Sequence, residues 1–223
     1  MTIIKKITYK DQVIDSIYQR LVEGRYCPGE QLKESLLARE LGISRAPVRE
    51  ALKELIAHGI VAYKPQIGNF IAILSGREIA DAYATRGVLE AYAAMTTRRR
   101  FTAEDFHRLQ LLVERMRDYA QRGDKKMVVE VGDSFHRLLT AKNDNRQLAE
   151  YMDRLSLKLH VMFCRHWSDL YSPEEIGDRH LRIVTTLAEG DPDLIEATIR
   201  DHYRESGDKI AALYQENCSP CEV

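Results

Sequence analysis

Arg45 and Arg49 stand one helical turn apart in the stretch Ile43 to Val61, ISRAPVREALKELIAHGIV, where apolar residues recur every three or four positions. A guanidinium carries five N–H donors in a planar fork that matches guanine O6 and N7, or a phosphate, in a way a lysine ammonium cannot imitate. Ser44 precedes the pair, and its hydroxyl, with the free N–H groups of a helix's first turn, suits either capping or a phosphate. Two other groupings have reactive residue types but the wrong arrangement. Cys164 and His166 lie two apart on a helical pattern and therefore point in different directions, which favours core packing over nucleophile and base. Cys218-x-x-Cys221 lacks the second ligand pair of a structural zinc site.

The arginines need an element that buries its other side. Val48, Ala51, Leu52 and Leu55 form an i, i+3, i+4, i+7 stripe, while Arg45, Arg49 and Lys53 sit about a quarter-turn away on one exposed face. Pro47 at the third helical position leaves no bond unmade, and Gly59 ends the helix. Upstream, Val13, Ile14, Ile17, Leu21 and Val22 predict a first helix over 10–24, and Leu32 with the run Lys33 to Leu41 predicts a short second one ended by Gly42. Downstream, Ile60 to Tyr63 and Asn69 to Leu74 predict a hairpin whose tip carries Lys64, Gln66 and Gly68. Helix, short helix, turn, basic-faced helix and hairpin is the order of a winged helix-turn-helix. In it Arg45 and Arg49 would enter a major groove. Gly68 would allow close backbone approach to the adjacent minor groove, with Gln66 or Lys64 on sugar or phosphate.

From Gly76 the strand signals cease, and about six amphipathic helices run to residue 214. They are punctuated by Thr102-Ala-Glu-Asp, Ser172-Pro-Glu-Glu and Asp191-Pro-Asp, each a cap at the head of a helix. The expected organisation is a DNA-binding domain over 1–74, a short linker at 75–77, a helical domain over 78–214 and a tail over 215–223. Charge agrees with this division: residues 1–72 hold 11 Lys+Arg against 8 Asp+Glu, while the remainder is net −4. No run approaches the roughly 18 apolar residues of a membrane span, and the first residues lack a secretory apolar run. Four scattered cysteines imply reduced thiols. A cytoplasmic location is expected.

The segment PGEQLKESLLARELGISRAPVREALKELIAHGIVAYKPQIGNFI closely resembles the N-terminal domain of GntR-type transcription regulators. Their pattern runs PG-x-x-L, LA-x-x-LG-[VI]-SR-x-PVREAL-x-x-L, and a wing ending in glycine. The resemblance implies that Lys33 or Glu34, Arg45, Ala46, Arg49, Gln66 and Gly68 stand where family members meet DNA. Many relatives carry threonine where this chain has Ala46, and alanine cannot donate to a phosphate. Residues 78 to 213 resemble, more diffusely, the all-helical FCD effector domain of the FadR-like branch. That likeness rests on Arg86-x-x-x-Glu90, Phe135-His136, Asn145-x-x-Leu148, His180 and His202. It implies a divalent metal (zinc, nickel or manganese) held by His136, His180 and His202 beside a cavity for a small carboxylate effector. Gly132 stands where the family's aspartate belongs, four residues before His136; Asp133, on roughly the same side of the helix, is one candidate for a shifted ligand, and three histidines with water, or no metal at all, are the alternatives. Arg86 can either fork an effector carboxylate or bridge Glu90 one turn on.

The expected fold class is mostly α: a winged helix-turn-helix followed by an antiparallel helical bundle of FCD type. The expected function is regulation of transcription by a homodimer on a palindromic double-stranded operator. Two copies related by a twofold axis read half-sites about a helical turn apart, which multiplies specificity. A small molecule in the helical domain would shift affinity only by preferring one arrangement of the DNA-reading heads. The rival reading is a helical metal-dependent hydrolase with an auxiliary DNA-binding head. No general base near the histidines supports it.

Overall fold

A computed structural model describes residues 7–216, which fall into two compact units divided between Leu74 and Ser75. In the first unit α1 (Tyr9–Val22) starts from a reciprocal capping box between Thr8 and Asp11 and buries Val13, Ile17 and Leu21. It packs on α3 (Arg45–Ala57), whose buried residues are the expected stripe of Val48, Ala51, Leu52 and Leu55. Between them lie β1 (Gln31–Leu32) and α2 (Glu34–Glu40). Leu32 is thus a strand residue and not part of the second helix. Its side chain is buried while its backbone pairs across to Asn69. Two residues are too short a run for alternation to register. The hairpin consists of β2 (Val61–Lys64) and β3 (Gly68–Ile71), antiparallel, with Val61 opposite Ile71 and Lys64 opposite Gly68. The sheet order is β1-β3-β2, so the first strand supports the wing from its far edge.

The second unit is built from α4 (Gly76–Thr97), a 3-10 turn at Arg98–Arg100, α5 (Ala103–Gln121), α6 (Lys125–Thr140), α7 (Arg146–Leu170), α8 (Pro173–Glu189) and α9 (Pro192–Glu216). Residues 75–77 are not a linker. Ser75 caps α4 in a reciprocal box with Glu78, and Gly76 is already buried in the first turn. The expected box at Thr102 is present, the expected cap at Ser172 forms a reciprocal box with Glu175 as well, and Asp191 accepts from the backbone of Asp193 and Leu194. The helix expected to end near 214 runs to Glu216, and Cys218 and Cys221 lie outside the described residues.

Helix α4 lies along α9 with the most extensive packing in the unit, and α6, α7 and α8 close around them. Close approach of the pair depends on Gly207, where an added Cβ would stand 2.6 Å from Tyr83 Cβ. Phe135, Ile176, Ile183, Leu187 and Met116 fill the centre and are fully buried. Among the described residues no helix is long and apolar enough to cross a membrane.

Candidate functional site

The recognition face of α3 begins at the helix's first residue. Ser44 adopts the extended backbone of an N-cap but makes no capping hydrogen bond, contrary to expectation. The third helical N–H, which the capping side chains of Thr8, Ser75, Thr102 and Ser172 bond, is missing at Pro47. The Ser44 hydroxyl is left exposed together with Arg45, Ala46 and Arg49. Arg49 keeps 60% of its side chain exposed while its Nε donates to Glu34 Oε2 at 2.7 Å. That bond uses one donor and leaves the terminal nitrogens of the fork for another acceptor. Glu34 is the first residue of α2, and Lys33 is its exposed N-cap.

The wing tip turns at Gln66, whose φ of 64° is left-handed, and at Gly68, whose φ of 123° favours glycine. Gln31 Nε2 donates to the Ile67 carbonyl at 2.9 Å and ties the tip to β1, while the Ile67 side chain is exposed. Neither this tie nor the Glu34 partner of Arg49 is visible in sequence spacing, because each joins residues from different elements.

In the helical unit, α6, α8 and α9 bring His136, His180 and His202 together: one ring nitrogen of each lies within 4.8 Å of the other two. The ring centroids are 4.7 to 5.4 Å apart. His180 Nδ1 donates to the Ile176 carbonyl at 2.7 Å, and His136 Nδ1 lies 2.5 Å from Glu90 Oε1, so both rings keep Nε2 free. His202 Nδ1 is buried without a hydrogen-bond partner. Burial, with His136 alongside, pushes the His180 imidazole down to about 3, and burial first and then His180 push His202 well below the ordinary histidine range. Both rings are neutral at pH 7 and offer lone pairs.

These residues fit a divalent ion. The donors are imidazoles, the set suits zinc, nickel or related metals, and one buried ring nitrogen lacks any other partner. His136, His180 and His202 would hold the ion, which would supply open coordination positions for a carboxylate. Asp133 does not join them. It is held by Arg137 Nε at 2.6 Å and His160 Nε2 at 3.1 Å. Although burial favours its neutral form, His160 and then Arg137 keep its carboxyl below the usual range. Gly132 borders the same space, and a Cβ there would meet only Met116 Sδ at 3.7 Å.

Next to the histidines is a cavity of about 70 Å³, bordered by Arg86, Ser156, His160, Tyr203 and Ser206 as well as apolar Met116 and Phe163. Arg86 is not a free anchor for an effector. Its Nη2 reaches Glu90 at 3.2 Å, its Nη1 reaches Ser156 Oγ at 3.1 Å, and its Nε reaches Tyr203 at 3.4 Å. The bridge expected from i, i+4 spacing is therefore formed, in a buried setting. Cys164 is buried, its thiol pushed up to about 11 by burial, and His166 contacts Tyr214. Neither is set up for nucleophilic chemistry.

A winged head with an exposed arginine face, joined to a helical domain enclosing a histidine cluster, defines the class of one-chain DNA-binding regulators. The family model "Bacterial regulatory proteins, gntR family" matches residues 9–71, and that of the "FCD domain" matches residues 81–205. The chain belongs to the GntR family of bacterial regulatory proteins, in the branch with a C-terminal FCD domain. It is a transcription regulator and not an enzyme, so the hydrolase reading is set aside. It is similar to a probable D-xylose utilization operon transcriptional repressor of Paenarthrobacter nicotinovorans, at 27% identity over 89% of this chain and 87% of that protein. It is also 24% identical to the transcriptional repressor RspR of Escherichia coli K12, over 97% of both chains. The solved structure of E. coli McbR/YncC shares the fold, with TM-score 0.73 and 22% identity over 94% of this chain and 99% of that one.

Proposed function

We propose that this cytoplasmic protein binds a palindromic operator as a homodimer and is switched by a small carboxylate held beside a divalent ion in the helical domain. The observation that carries the DNA-binding part is the α3 face: Arg45 and Arg49 exposed one turn apart, backed by the buried stripe, with Ser44 exposed at the head of the helix. In this reading Arg45 and Arg49 meet base edges or phosphates, Ala46 packs without donating, Ser44 meets phosphate, and Gln66 and Gly68 approach the minor groove. Lys33 and Glu34 lie at its border. The three histidines support the effector part, since open positions on an ion they hold would take a carboxylate in the adjoining cavity. Arg86 supports that site through Glu90.

The test begins with DNA selected from a random duplex library by the purified full chain. Arg49→Ala should weaken binding to the selected site by about tenfold or more, with helical content unchanged by circular dichroism. Undiminished affinity would refute the assigned face. A selected site without inverted symmetry would refute the dimeric operator. For the effector, small carboxylates screened by thermal shift, with and without added zinc, should raise the melting temperature only when metal is present.

A further inference from the structure

Glu90 is the most deeply buried acid among the described residues, with no exposed surface. Its two oxygens have different partners. Oε2 accepts from Tyr203 at 2.9 Å and from Arg86 at 3.2 Å, while Oε1 faces His136 Nδ1 at 2.5 Å. A role in folding alone explains this poorly. Burying an ion pair is costly, and replacing both partners by apolar residues of similar size is often neutral or stabilising. What an apolar pair cannot supply is a fixed acceptor for an imidazole N–H. His180 obtains its acceptor from the Ile176 carbonyl within its own helix. His136 lies on α6, and the acceptor it uses comes from α4.

We infer that Glu90 is the positioning residue of the histidine centre: held by Arg86 and Tyr203, it accepts the His136 Nδ1–H and so turns Nε2, lone pair outward, toward a divalent ion. The inference rests on the proposed metal site and adds to it a residue from a fourth helix. A carboxylate behind a ligating imidazole fixes its tautomer and orientation and raises its basicity. The Arg86-x-x-x-Glu90 bridge is then support for the metal centre, which explains why a pair of this kind is buried and not on the surface.

The test measures zinc affinity of the full chain by competition with a chelator of known affinity. Glu90→Asp keeps the charge that balances Arg86 but withdraws the oxygen from His136, and should weaken zinc binding tenfold to a hundredfold. The double variant Arg86→Met/Glu90→Leu replaces the pair by apolar residues of similar volume. It should fold with unchanged helical content and still lose affinity to the same extent. A merely structural role would leave the folded variants within twofold of the parent, and that result overturns the inference. Parent protein that takes up no zinc would overturn the metal site as well, which separates the two failures.

Discussion

Gly132 sits mid-way along α6, where glycine costs helix stability because the unfolded chain has more freedom to lose. An alanine methyl there meets only Met116 Sδ at 3.7 Å, an ordinary van der Waals distance. Gly132→Ala should therefore stabilise the helical unit by about 0.5 to 1 kcal/mol. For a unit of this size that is roughly 2 to 4 °C per kcal/mol in melting temperature. Gly207→Ala makes the same chemical change in α9 with the opposite result. Its methyl would stand 2.6 Å from Tyr83 Cβ and 3.6 Å from Ala80 Cα, groups that move only with the helix backbone. Overpacking of this kind costs about 1 to 3 kcal/mol, more than the helix gains. Calorimetry or denaturant titration of the full chain, following helical signal, compares the two. A destabilised Gly132→Ala, or a Gly207→Ala without cost, would refute the reading of where space exists around the histidine cavity.

Gly132→Asp supplies a carboxylate at the position where the FCD resemblance implies one, and should tighten zinc binding in the chelator assay while Gly132→Ala does not. Ser44→Ala should change stability by less than about 0.5 kcal/mol, since no cap bond is lost, whereas Ser172→Ala should cost about 1 kcal/mol. Ser44→Ala should nonetheless weaken binding to the selected DNA site, measured by fluorescence anisotropy. Asp105 accepts from the Thr102 backbone at 2.9 Å and lies 3.0 Å from Lys142, which bring its carboxyl down to about 2. A depressed folded pKa stabilises above the unfolded value near 4 and is lost as pH falls toward 2. The shift corresponds to about 2 kcal/mol unscreened and roughly 1 kcal/mol after solvent screening. Asp105→Asn should thus destabilise at pH 7 by about that amount, and the gap between variant and parent should close between pH 4 and pH 2.

The recognition helix was legible because its information is local. Arg45, Arg49 and the stripe Val48, Ala51, Leu52 and Leu55 lie within one helix, whose period fixes which residues share a face. The helix starts at Thr102 and Ser172 were legible for the same reason. The strand at Gln31–Leu32 was not, because its only signature is pairing with residues more than thirty positions later. The histidine centre stands between these cases. Its three members are visible only through the family resemblance, and no spacing rule brings His136, His180 and His202 together across three helices. Arg86 and Glu90 showed their mutual bridge by i, i+4 spacing. The second oxygen of Glu90 meets a ring 46 positions away, a fact that depends on how α4 and α6 pack.

The Glu34–Arg49 contact bears on how a chain of net charge −1 would discriminate among DNA sequences. Non-specific affinity comes from neutralising phosphates and scales with the cations presented. In the proposed interface Glu34 adds a negative charge beside Arg49 and therefore subtracts from that general attraction. The same carboxylate holds Nε and restricts the side chain while leaving both terminal nitrogens able to bond a guanine edge. Replacing Glu34 by alanine should raise affinity for unrelated DNA, steepen its salt dependence, and lower the preference for the selected site at the base pair that Arg49 meets. If the preference is untouched while general affinity rises, Glu34 acts only as a repelling charge. If neither changes, Arg49 does not depend on it, and the fork is oriented by the DNA itself.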